Sequence, residues 1–128
     1  MKILVTGGCG YKGSVLVPLL LADGHQVVSV DTQWFGSYLQ HHPNLTNLKL
    51  DIRETDAIPL EGVEAIIHLA NIANDPAVEL NPTLSWEVNV LASQQLADRA
   101  ARQGVKHLLY ASSGSVYGIK EEPNVTED

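Results

Sequence analysis

The chain predicts an α/β fold, an open and doubly wound parallel sheet organised around one glycine-rich turn. Three observations carry this. The apolar run Ile3-Leu4-Val5 leads straight into Thr6-Gly7-Gly8-Cys9-Gly10-Tyr11-Lys12-Gly13, and apolar residues at helical spacing (Val15, Leu16, Leu19, Leu20) follow at once. Further short apolar runs recur along the chain without strict alternation, as parallel strands covered on both faces do. An acidic residue, Asp31, closes the second of these runs.

The elements follow in order. Residues 26–30, rich in Val, read as the second strand, 47–50 as a third ending at Asp51, 64–70 as a fourth and 106–111 as a fifth. A long helix is predicted over 83–103. Asn81-Pro82 opens it, Gly104 stops it, and Leu84, Val88, Leu91, Leu96 and Ala100 recur at helical spacing. The stretch 32–46 has no period and reads as loop. Right-handed crossovers with a reversal after strand one give the order 3-2-1-4-5, a Rossmann-type sheet. That order brings Gly7, Gly10 and Lys12, Asp31, Asp51, Ala70 and Asn71, and Ser112 and Ser113 to one crevice at the carboxyl ends of the strands.

Strand, glycine turn and helix together point to dinucleotide binding. Gly7 permits the tight reversal, Gly10 lets a pyrophosphate approach the backbone, and Gly13 lets the helix lie close to the sheet. Backbone N–H groups and the positive end of the helix dipole then meet the phosphates. Asp31 lies 18 residues past Gly13, close to the roughly 20 expected of a carboxylate that accepts from the adenosine ribose. A carboxylate there repels a 2′-phosphate, and no Arg occurs between Gly13 and Arg53, so NAD is expected over NADP.

Composition sets the outer bounds. A chain of 128 residues is read as one domain over 1–128. A net charge of −7 argues against nucleic acid as a partner. The single cysteine, Cys9, excludes an internal disulfide and fits a reducing compartment, so a cytoplasmic location is expected. The apolar run before the glycines is too short for a signal peptide, and no run approaches a membrane span. No metal site is predicted: His41-His42 has no flanking Cys or carboxylate cluster and reads as loop surface.

The residues Thr6-Gly7-Gly8-Cys9-Gly10-Tyr11-Lys12-Gly13, Asp31, Asp51-Ile52, His68-Leu69-Ala70, Asn89 and Ser112-Ser113-Gly114-Ser115-Val116-Tyr117-Gly118 resemble the extended short-chain dehydrogenase/reductases. Within them they are most similar to NAD-dependent nucleotide-sugar epimerases and dehydratases, over the whole chain in order. The resemblance implies that Gly7, Gly10, Tyr11, Lys12, Gly13 and Asp31 hold NAD, that Asp51 bonds the adenine amino group and that Ile52 lies on the adenine ring. It implies that Leu69, Ala70 and Asn71 line the channel beneath the ribose and nicotinamide, with Ala111 and Ser112 beside them. Asn89 takes the place of the family's structural asparagine near the active site and Ser113 that of its catalytic serine. A nucleotide-sugar substrate is implied, as is a homodimer through the helix near 83–103.

Residue by residue, plainer readings stand beside these. Asp51 also reads as a helix cap, His68 as a buried strand-end histidine, and Ser112 and Ser113 as hydroxyls bonding local backbone. Trp34, Phe35 and Tyr38 either shape the adenosine end of the site or pack the loop. The chain also departs from the family at four places, one of them Ile72-Ala73-Asn74-Asp75-Pro76, which offers no Lys where many such epimerases have a polar or basic residue. Position 12, usually aliphatic, is Lys12; position 71, usually small, is Asn71. Family chemistry uses Tyr-x-x-x-Lys, with the lysine lowering the tyrosine pKa, and here Tyr11, Tyr38, Tyr110 and Tyr117 are followed four residues on by Val15, His42, Gly114 and Glu121. The expectation is the cofactor part of a larger epimerase, truncated before the sixth strand and the substrate domain and inactive alone. Epimerase is preferred over dehydratase because Gly114-Ser115 stand where dehydratases commonly carry Asp-Glu. A small-carbonyl reductase and a non-catalytic NAD-binding module are the alternatives.

Overall fold

A computed structural model describes residues 1–73 and 75–118. Five parallel strands, β1 (Lys2–Thr6), β2 (Gln26–Asp31), β3 (Leu45–Lys49), β4 (Ala65–His68) and β5 (His107–Tyr110), form one sheet in the order β3-β2-β1-β4-β5. This is the predicted Rossmann-type order. The helices are α1 (Gly13–Ala22), α2 (Asp75–Leu80), α3 (Pro82–Trp86) and α4 (Ser93–Arg102), with a π-helical segment, Glu87–Ala92, joining α3 to α4. Single 3-10 turns cover Thr55–Ala57 and Gly114–Tyr117. Asn74 and 119–128, including Glu121, lie outside the described residues.

Alternation along the strands explains the double winding. Leu4 is paired with Val28 on one side and Ile66 on the other, and these three join Val88, Ala92, Leu96 and Ala100 in one buried cluster. Their chain neighbours Ile3, Val5 and Val27 point to the opposite face and bury Val17 and Leu21 of α1. β5 is one of the two sheet edges, and its residues do not meet the expectation of strands covered on both faces. Leu108 is 42% exposed and Leu109 58%, because no element among the described residues packs over them.

Helix ends follow their capping chemistry. The Asn81 side chain accepts from Leu84 N–H at 3.0 Å, with Pro82 in the first helical position. At the other end Val105 N–H donates to Ala100 O at 3.0 Å and Gly104 N–H to Ala101 O at 3.2 Å, the Schellman pairing that closes a helix. Between these ends, the single helix expected over 83–103 contains the π segment. The wider turn shifts the helix phase, so the buried line runs Val88, Ala92, Leu96, Ala100 and leaves Leu91 exposed at 42%. The predicted stripe on α1 is also displaced. Gly13, Val17 and Leu21 are buried, whereas Val15 and Leu19 face outward. Residues 15–21 are apolar on every side apart from Pro18, so periodicity holds no phase there; the close approach of Gly13 to the glycine turn sets it.

Candidate functional site

The glycine turn is closed by its own backbone. Gly7 N–H donates to Val30 O at 2.8 Å and Gly10 N–H to Gly7 O at 3.1 Å. Gly7 has φ +71°, and a Cβ there would lie 2.7 Å from the Ala70 amide nitrogen. A Cβ at Gly13 would lie 2.6 Å from Gly8 Cα, so the missing side chain is what lets α1 press onto the turn. The helix begins with no capping side chain and no acid in its first turn. Among the described residues, no acceptor takes the N–H of Tyr11, Lys12 or Gly13. Three free amides at the positive end of a helix dipole are the donor set that a pyrophosphate requires.

These groups line a crevice of about 560 Å³ at the carboxyl ends of the strands. The structure brings to it Gly7, Gly10, Tyr11, Lys12 and Gly13 from the turn, Asp31 from β2, and Asp51 and Ile52 from beyond β3. Leu69, Ala70 and Asn71 enter from beyond β4, and Ala111, Ser112 and Ser113 from beyond β5. Lys12 is the one cation among the described residues that line it. Asn89 stands behind the wall instead. Its amide donates to Ile72 O at 3.0 Å and accepts from Ile72 N–H at 2.7 Å.

At the β2–β3 end the polar groups are held by loops. Asp31 Oδ2 accepts from Cys9 N–H at 3.0 Å and Oδ1 from Gln33 N–H at 2.6 Å, tying the glycine turn to the segment that follows β2. Trp34 and Phe35 line the crevice at 60% and 87% exposure, so at least these two aromatics do not pack the loop. Asp51 is not the cap of the 3-10 turn, whose N-cap is Glu54. Its carboxylate instead accepts from Arg53 N–H at 2.9 Å and Arg53 Nη2 at 2.8 Å. Hydrogen bonding to the guanidinium holds its carboxyl below the ordinary 3.8, against a smaller opposing effect of burial.

At the β4 end the polar groups are sealed. His68 is 2% exposed, and its Nε2 meets Ser93 Oγ at 2.8 Å while Nδ1 meets Thr6 Oγ1 at 2.5 Å. Ser93 Oγ donates onward to Asn89 O at 3.0 Å, and Thr6 Oγ1 accepts from Ala70 N–H at 3.3 Å. These directions assign a neutral ring, protonated on Nε2 and accepting on Nδ1. Burial pushes its pKa down to about 4. The relay joins the ends of β1 and β4 to the π segment, and through Asn89 it fixes the strap from Leu69 to Ile72. His68 is therefore the buried strand-end histidine, with no face on the crevice.

Sequence reasoning did not assign several other lining residues, among them Leu50, Ile72, Ala73 and Val88. Val88 was legible as a helix apolar position, but only the fold turns it toward the crevice. Nothing in the sequence signalled the contact between Arg53 and Glu87, 34 residues apart.

A family model described as the NAD dependent epimerase/dehydratase family matches residues 3–128. The chain belongs to this family. NAD is its cofactor. A UDP-glucose 4-epimerase from Corynebacterium glutamicum is 30% identical over 130 residues, covering all of this chain and 40% of its own length. Among solved structures, a Thermus thermophilus UDP-glucose 4-epimerase in complex with NAD superposes with TM-score 0.84 at 29% identity, over 99% of this chain and 43% of that one. A dTDP-glucose 4,6-dehydratase from Streptomyces venezuelae, with NAD bound, gives 0.88 at 30% identity, over 99% and 44%. The chain thus spans about two-fifths of the length of these relatives. No helix among the described residues is long and apolar enough to cross a membrane.

Proposed function

We propose that this chain is the NAD-binding part of a nucleotide-sugar epimerase. The carrying observation is the set of three free amides, from Tyr11, Lys12 and Gly13, at the head of a helix whose crevice also receives the residues beyond every other strand. In this reading the amides hold the pyrophosphate, with Lys12 as counter-charge. Asp31 accepts from the adenosine ribose, Asp51 and Ile52 take the adenine, and the Leu69–Asn71 wall lies beneath the nicotinamide. Ser113, at the edge of the crevice, orients the reacting sugar oxygen. Bound NAD supplies a reversible hydride acceptor, which lets a sugar hydroxyl be oxidised to a keto group and reduced again from the other face. The 128 residues give no turnover by themselves in this reading, because they contain no Tyr-x-x-x-Lys. A homodimer through the helix near 83–103, where Trp86 and Leu91 are exposed, and a cytoplasmic location complete the reading.

Calorimetric titration of the chain with NAD and with NADP tests it. NAD is expected to bind at least tenfold more tightly, since a 2′-phosphate beside Asp31 costs about 1.4 kcal/mol or more. Tighter NADP binding overturns the assignment of Asp31, and binding of neither overturns the reading as a whole.

A further inference from the structure

The Asp51 carboxylate is held in a fork. Arg53 gives it three N–H donors: the backbone amide at 2.9 Å, Nε at 3.1–3.2 Å and Nη2 at 2.8 Å. The guanidinium is anchored in turn, because Nη1 donates to Glu87 Oε2 at 2.9 Å. Glu87 sits on the π segment beside Val88, which lines the crevice together with Asp51 and Ile52. The chain Asp51–Arg53–Glu87 therefore bridges two walls of one site.

Two features make this more than a surface ion pair. The first is exposure. The Arg53 and Glu87 side chains are 40% and 41% exposed, a setting in which ion pairs add little stability, whereas a planar fork on a carboxylate fixes its orientation. The second is geometry. The three donors of Arg53 make four contacts, two to each oxygen, with Nε shared between Oδ1 and Oδ2, so neither oxygen can turn away from the guanidinium. An ionised carboxylate is an acceptor only, so a group that meets it from the crevice must be a donor.

We propose that Arg53 and Glu87 are positioning residues that orient Asp51 to accept one N–H from the exocyclic amino group of the adenine, and so set the preference for adenine over a base lacking that group. This rests on the reading of Asp51 at the adenine given above. A 6-oxo purine presents a carbonyl where adenine presents the amino group. Two acceptors then face each other, and the fork prevents the carboxylate from turning aside. When the fork is loosened, Asp51 rotates and the distinction between the bases fades.

The test titrates the full chain with NAD and with nicotinamide hypoxanthine dinucleotide, which differs only in that base. The wild type is expected to prefer NAD at least tenfold, the order of a hydrogen bond to a charged group. Arg53→Gln is expected to reduce the preference to about threefold or less, with Arg53→Lys and Glu87→Gln between the two. All three variants are expected to stay close to the wild-type denaturation midpoint and to keep an unchanged affinity for nicotinamide mononucleotide, which lacks the adenine; a merely structural role would lower both markedly. If the wild type binds both dinucleotides equally, the assignment of Asp51 to the adenine falls and the inference with it. If the wild type discriminates and Arg53→Gln and Glu87→Gln discriminate as well, Asp51 keeps its role and the positioning inference is overturned.

Discussion

At the β2–β3 end of the crevice, polar contacts are made by side chains that solvent reaches, at the end of β2, beyond β3 and on the π segment; at the β4 end, they run through a histidine buried to 2% exposure. The Arg53 and Glu87 side chains are 40% and 41% exposed and that of Asp51 is 21%, and ion pairs that solvent reaches contribute little to folding. Thr6, His68, Ser93 and Asn89 are linked donor to acceptor between two strands and a helix. Removing one member leaves a buried group unpaired, which costs far more than an exposed bond contributes. One end of the site is therefore adjustable without damage to the fold, and the other belongs to the core.

The comparison is broken most easily at His68. His68→Leu takes the acceptor from the buried Thr6 hydroxyl and the ring donor from Ser93 Oγ, and is expected to lower stability by about 3 kcal/mol, read as a fall in the urea midpoint at pH 7.5. A loss below about 1 kcal/mol would show that the relay is not a core element.

Acid titration probes the same residue without mutation, with an effect nearly as large. The folded pKa of His68 is about 4 and its ordinary value 6.5, so the unfolded chain takes up the proton first. Its contribution is complete above about pH 6.5 and is lost as pH falls toward 4, a span worth about 3 kcal/mol. Asp51, held below 3.8, gives up its bonds only under more acid conditions, so the two windows separate. In His68→Leu the slope between pH 6.5 and 4.5 should flatten; an unchanged slope would assign it to other groups.

Asn89→Ala removes two hydrogen bonds to Ile72 and is expected to cost about 1–2 kcal/mol. It should weaken nicotinamide mononucleotide more than AMP, because the strap it holds lies on the β4 side. Equal loss of both half-ligands would mean that the strap does not divide the crevice this way.

The smallest effect is expected at the exposed end. Arg53→Gln should change stability by less than about 1 kcal/mol, a difference that shrinks further in 1 M salt. A drop as large as that of His68→Leu would erase the contrast between the two ends.

Much of the fold was legible because parallel strands declare themselves locally. Ile3-Leu4-Val5, Val27-Val28 and Ile66-Ile67 are short apolar runs, and the glycine turn after the first dictates where the sheet reverses. The crevice was legible for the same reason, since strand order alone carries Asp31, Asp51, Ala70 and Ser113 to one edge. The helix phases were not. Val15 and Leu19 are as apolar as Val17 and Leu21, so no pattern says which pair is buried. Leu91 lost its place to Ala92 through a π turn, whose Asn89 is bonded to a strap 17 residues away.

Local chemistry in the chain thus determined the strands, their order, the glycine turn, the caps at Asn81 and Gly104 and the carboxylate at Asp31. Each depends on neighbouring residues or on a handedness rule common to all such sheets. The tertiary structure alone decided which face of each helix is buried, that His68 is neutral and linked to Ser93, and that Arg53 bridges Asp51 to Glu87. Those outcomes depend on groups brought within about 3 Å from distant parts of the chain, and at that range a hydrogen bond is set by geometry that only packing supplies.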